Sequence, residues 1–212
     1  MSTVVRALLI AVLLTVLPVG AAVLLAGGDS GTEPAAPLPS YTSTPLAGYD
    51  TSMLTVARAG FCGRIPPGAV SEALGGDPTR STDYDNGDEA ELVARQTDVA
   101  HEYGCTYDGP RGAEARAWVF APPVTAARAR ELVDEATSIP GCARQQTAPA
   151  YGDPGVALVC TYQKDSYASF RGLFGDAWLA CSLGLPKRVP EQTLLDRAGR
   201  WCVAVAGAAS IS

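Results

Sequence analysis

Cys160-Thr161-Tyr162, then QKDSYASFRGLFGD (163–176), then Ala177-Trp178-Leu179-Ala180: this stretch decides the fold, because an earlier one matches it. Cys105-Thr106-Tyr107 is followed by a turn-rich segment and then Ala117-Trp118-Val119-Phe120. The first copy leads to Pro122 and the second to Pro186, and each then enters a segment of helical periodicity. In the first, Ala129, Leu132, Val133 and Ala136 form one apolar stripe after Thr125, a suitable N-cap. In the second, Leu194, Ala198, Trp201, Cys202 and Val205 recur at i, i+4, i+7, i+8 and i+11. The chain therefore reads as two strand–strand–helix units, offset by about 55–60 residues. Short polar connections predict antiparallel hairpins. One antiparallel sheet with helices packed on one face would bury both stripes, so the expected fold class is α+β.

Ahead of the repeat, Arg64-Ile65-Pro66-Pro67 leads into a short helix through Val70, Ala73 and Leu74. Proline suits a first helical turn, and Gly75-Gly76 supplies a stop. Residues 77–91 are polar and rich in Gly and Asp, and read as loop. The segment Leu92–Tyr103 fits helix and strand equally well.

The N-terminal run ALLIAVLLTVLPVGAAVLLAGG (7–28) carries no charge. About 20 apolar residues suffice to cross a hydrocarbon core as a helix. Val19-Gly20-Ala21 offers a signal-peptide cleavage site, but the run continues through Val23, Leu24 and Leu25, which favours an uncleaved anchor. A lipoprotein would need Cys where Gly28 stands. Arg6 precedes the run while Asp29 and Glu33 follow it, so residues 1–6 are expected in the cytoplasm and the rest outside. Residues 29–55, rich in Pro, Ser and Thr, read as an extended spacer. Residues 56–212 are left as one extracytoplasmic domain, with secretion after cleavage as the alternative localisation.

All six cysteines lie beyond the apolar run, in a compartment where paired thiols oxidise. Six cysteines allow 15 pairings, and the repeat narrows them. Cys105 and Cys160 are equivalent, and each is preceded by one cysteine at the edge of an earlier element. That predicts Cys62–Cys105 and Cys142–Cys160, leaving Cys181 with Cys202.

Net charge is −6, with no Lys/Arg run. Neither a nucleic-acid surface nor a polybasic lipid-binding segment is signalled, so membrane contact is expected only through the N-terminal helix. No Cys-x-x-Cys, nucleophile elbow, dinucleotide fingerprint or P-loop is present. His101 beside Cys105 lacks the four ligands of a closed zinc site. Asp83, Asp85, Asp88, Glu89 and Glu91 crowd one loop, but Gly87 and Asp88 break the EF-hand order. No catalytic residue, metal or cofactor is expected. The segment Ser166–Asp176 reads as a loop with Tyr167, Phe170, Arg171 and Phe174 as a candidate interaction surface, since aromatics and Arg are enriched at interface cores.

Cys62-Gly63-Arg64-Ile65-Pro66-Pro67, the short helix ending at Leu74-Gly75-Gly76, and Cys105-Thr106-Tyr107 resemble a pattern of actinobacterial cell-envelope domains. Those include lipoproteins of unknown function and extracytoplasmic sensor domains. The likeness spans residues 60 to about 207 and departs at Gly28. It implies a disulfide-held α+β domain outside the membrane and carries no catalytic residues. The function expected is a membrane-tethered binding or accessory domain with a protein or small-ligand partner. The alternatives are a small envelope hydrolase using Asp/Glu residues, or a sensory ectodomain acting through a membrane partner.

Overall fold

The computed structural model describes residues 41–93 and 96–211. The expected anchor at 7–28 lies outside them. Among the described residues, no helix is long and apolar enough to cross a membrane. The fold is α+β, and the described residues form nine strands, β1 (Arg80–Tyr84), β2 (Glu89–Val93), β3 (Gln96–Val99), β4 (Glu102–Asp108), β5 (Glu114–Phe120), β6 (Cys142–Arg144), β7 (Gly155–Thr161), β8 (Asp165–Phe174) and β9 (Ala177–Pro186), with three α-helices, α1 (Pro67–Leu74), α2 (Ala126–Thr137) and α3 (Glu191–Ala209). Seven strands form one antiparallel sheet in the order β1-β4-β5-β9-β8-β7-β6, and β2 and β3 form a separate hairpin.

The helix ends follow from local chemistry. Pro67 opens α1, and Gly75 closes it in the left-handed region at φ 71°, donating to the Ser71 and Glu72 carbonyls. Thr125 caps α2, its side chain accepting from the Arg128 amide at 3.2 Å. The expected stripe of α3, from Leu194 to Val205, is wholly buried. This helix is rich in Ala because it is crowded on several sides: it packs on β8 and β9, against α1, and against residues 46–48. A Cβ at Gly199 would sit 3.2 Å from the Leu46 Cβ.

Four sequence expectations are corrected. The helices do not share one face. Leu179, Cys181, Leu183, Ala117 and Val119 face α1 and α3, whereas Val156, Leu158, Cys160, Leu173 and Trp178 face α2 on the opposite side. Period-2 alternation makes both faces of β7–β9 apolar, so each needs its own cover. Second, residues 77–91 are not all loop, because β1 and the start of β2 fall within them. Their polar side chains reflect solvent-facing edge positions, and β1 pairs with β4 through its backbone. Third, residues 166–176 are not a loop but mostly β8, ten residues long and paired on both sides. Finally, the spacer does not reach residue 55: Leu46 (4 % exposed) and Thr51 (7 %) are buried, and the Thr55 carbonyl accepts from the Ile211 amide at 2.9 Å.

The three disulfides are Cys62–Cys105, Cys142–Cys160 and Cys181–Cys202. They close chain separations of 18 to 43 residues, each stabilising by about 3–4 kcal/mol in the chain-entropy model. Cys142 and Cys160 are direct cross-strand partners. The Cys181–Cys202 bond fastens α3 to β9, and the neighbouring Trp201 indole N–H donates to the Arg116 carbonyl of β5 at 3.2 Å.

Phe170 (1 % exposed) and Phe174 (2 %) point into the α3-side core, where Tyr151 packs edge-on against both at 6.2 and 5.0 Å. As half of the expected interaction surface they are therefore misplaced. Phe170→Ala should cost about 3–5 kcal/mol in urea unfolding. A loss below about 1 kcal/mol, in the range of surface substitutions, would contradict this packing.

Candidate functional site

The α3 side of the sheet is closed by α1, α3 and residues 46–48. The opposite side is covered by α2 over β6, β7, β8 and the Trp178 end of β9. Over β1, β4, β5 and the rest of β9 that face carries polar and aromatic side chains, and alternation decides which. On β5 they are Glu114, Arg116, Trp118 and Phe120, each partly exposed, while Ala115, Ala117 and Val119 are buried on the other side.

Antiparallel register places these residues in rows. One row runs Arg80, Asp108, Glu114, Gly184, Tyr167; the next runs Thr82, Thr106, Arg116, Ser182, Ser169; the third runs Tyr84, Gly104, Trp118, Ala180, Arg171. Opposite charges meet at Arg80 beside Asp108 and at Glu114 beside Arg116, while Asp108 and Glu114 are like charges set directly opposite each other. A depression of about 190 Å³ opens among Arg80, Thr82, Thr106, Asp108, Glu114 and Arg116, with Glu91 of the β2–β3 hairpin at its rim.

Glu102 and Glu114 are half-buried on this face. Burial raises the carboxyl pKa of Glu102, opposed by the Tyr84 hydroxyl, which donates to its Oε1 at 2.6 Å, and by Arg116. Burial also raises Glu114; Arg116 opposes this, and Asp108 and Asp165 reinforce it. The Tyr84 phenol is pushed up by its own burial and then by Glu102.

The small residues of β9 make a trough beside this depression. Ala180, Ser182 and Gly184 form its floor, Arg116 and Trp118 of β5 one wall, and Tyr167, Ser169 and Arg171 of β8 the other. The Tyr167 ring lies over Gly184, in the space a Cβ there would need. At the other end, the Arg171 guanidinium carbon sits 5.8 Å from the centre of the Trp118 ring, reaching across Ala180. Its Nε donates to the Ser169 hydroxyl at 3.2 Å. Tyr162, 51 % exposed, stands edge-on to Tyr167 at 5.7 Å.

Of the four residues expected to form an interaction loop, the structure brings Tyr167 and Arg171 together on the open face and sends Phe170 and Phe174 into the core. Sequence reasoning missed Trp118, Tyr84, Arg116 and Ser182; their signal was the alternation along β5 and β9 once those segments are set as neighbours. His101 is exposed, and Cys105 is committed to a disulfide. The acidic group is split between β1, a turn at Asp85–Asp88 and β2, and among the described residues no three His, Cys, Asp or Glu converge as a metal site. On the α3 side, a cleft of about 160 Å³ lies between residues 45–47, 145–149 and the start of α3. Its one carboxylate, Asp196, is paired with Arg200 at 3.0 Å.

The raised Glu114 pKa has a definite sign. The folded state holds its proton to higher pH than the unfolded chain, so ionisation weakens folding as pH rises through the ordinary glutamate value of about 4.3. Glu114→Gln should therefore melt higher than wild type at pH 7, with the gap closing below about pH 4. An equal or lower melting temperature at pH 7 would contradict the burial argument. No protein-family model matches the chain, and no curated protein matches it.

Proposed function

We propose that the chain is a membrane-tethered extracytoplasmic binding domain of the cell envelope, with residues 7–28 as anchor, a spacer from residue 29 to about 40, and no catalytic step. The open half of the sheet is its binding surface. The observation that carries the reading is the unequal cover of the sheet. One side is sealed by two helices and residues 46–48, while half of the other is left to Arg80, Tyr84, Arg116, Trp118 and Tyr167. Partly exposed aromatics and arginines on a rigid sheet suit recognition, because little conformational freedom is lost when a partner docks.

The three disulfides favour an oxidising compartment, and the acidic chain favours a protein or small-molecule partner over nucleic acid. Against the hydrolase alternative, Glu102 is engaged by Tyr84, and both half-buried glutamates lie beside Arg116, a pattern that reads charge.

A photo-reactive residue placed at Thr82, exposed on the open face, should form cross-links to a partner in native envelopes. The same residue at Arg130, exposed on α2, should form none. Cross-links at Arg130 alone, or at neither position, would overturn the assignment.

A further inference from the structure

Arg171 is a partly buried charge on the open face with no ion-pair partner among the described residues. It lies mid-sheet on β8, flanked by β7 and β9, and its neighbours in register are Val156 and Ala180. Its contacts are the Ser169 hydroxyl at Nε and the Trp118 ring, both neutral. Among the described residues, no carboxylate lies within ion-pair distance of it. The other side chains about the trough are the hydroxyls of Ser182 and Tyr167 and the Arg116 guanidinium. Withdrawing a guanidinium from water without a counter-ion is costly, and burial lowers its pKa accordingly. An arginine held this way, with Nε engaged and the fork end open, is poised to accept an anion.

We propose that the trough over Ser182, bounded by Arg171, Trp118 and Tyr167, binds the carboxylate group of a small ligand. This deepens the binding function given above and rests on it. The choice of carboxylate follows from charge and shape. The Arg116 charge is already shared with Glu102 and Glu114, so Arg171 supplies the one charge left to compensate, and its planar fork matches the two oxygens of a carboxylate. A doubly charged phosphate would meet Glu114 and Asp165, the carboxylates nearest the Tyr167 end. Trp118 and Tyr167 offer ring faces to a flat or apolar group beside the carboxylate.

The test uses the full chain labelled with ¹⁵N at tryptophan. Trp178 and Trp201 are buried (2 % and 1 % exposed), so the Trp118 indole N–H reports the trough. Benzoate, benzamide and inorganic phosphate are titrated at constant ionic strength. Benzoate should shift the Trp118 signal saturably, while benzamide and phosphate leave it in place at the same concentrations. Arg171→Met should weaken benzoate binding by about tenfold or more, and Arg128→Met on the exposed side of α2 should leave it unchanged. Equal shifts with benzamide, saturation by phosphate at or below the benzoate concentration, or undiminished binding by Arg171→Met would each overturn the proposal. If Arg171→Met fails to fold, the comparison of benzoate with benzamide on the unaltered chain decides. A chain that cross-links at Thr82 yet ignores benzoate refutes the carboxylate site and leaves the binding function standing; loss of both removes both.

Discussion

The pairing of β5 with β9 holds the domain together and exposes its working face. These are the two Ala-Trp strands, and they meet antiparallel with Ala117 opposite Cys181 and Trp118 opposite Ala180. Without that ladder, β1-β4-β5 and β9-β8-β7-β6 would be two smaller sheets, each with an unpaired edge. Helix α3 locks the ladder from one side. Its Cys202 is bonded to Cys181 on β9, while the adjacent Trp201 donates to Arg116 on β5. Two successive residues of one helix thus grip the two strands that join the halves, and the Tyr107 ring packs edge-on to Trp201 at 5.8 Å on the β4 side.

The same ladder fixes what the other side can do. A residue facing α3 dictates that its chain neighbours face away, so burying Ala117 and Cys181 presents Arg116, Trp118, Ala180 and Ser182 on the open face. With twelve residues, α2 covers β6 to β8 and the Trp178 end of β9, and leaves β4, β1 and β5 up to Trp118 open. Small residues on β9 then let side chains of β5 and β8 approach across it, which brings Arg171 of the second half over Trp118 of the first. The site is composite: neither half of the repeat holds both.

Much of this was legible in the sequence where a pattern had one physical reading. The 3.6-residue stripe of α3, the proline start and glycine stop of α1, and the Thr125 cap of α2 each identify their element unaided. The disulfide pairs followed from the equivalence of Cys105 and Cys160. What stayed hidden depended on neighbours. In β8, SYASFRGL puts Phe170 among polar and small residues, so it resembles a loop until β7 and β9 supply partners on both edges. Residues 80–84 carry no apolar signal because β1 is an exposed edge strand held by its backbone. Which face each helix takes was equally unreadable: two apolar stripes do not say whether they meet the same side of a sheet.

The most direct test of the open face as the binding surface is hydroxyl-radical footprinting of the chain in native envelopes against the purified chain. The account predicts that Trp118, Tyr162 and Tyr167 are oxidised more slowly in envelopes, while Met53, 84 % exposed and away from the open face, reacts equally in both. Equal labelling of Trp118, Tyr162 and Tyr167 in the two preparations would contradict it.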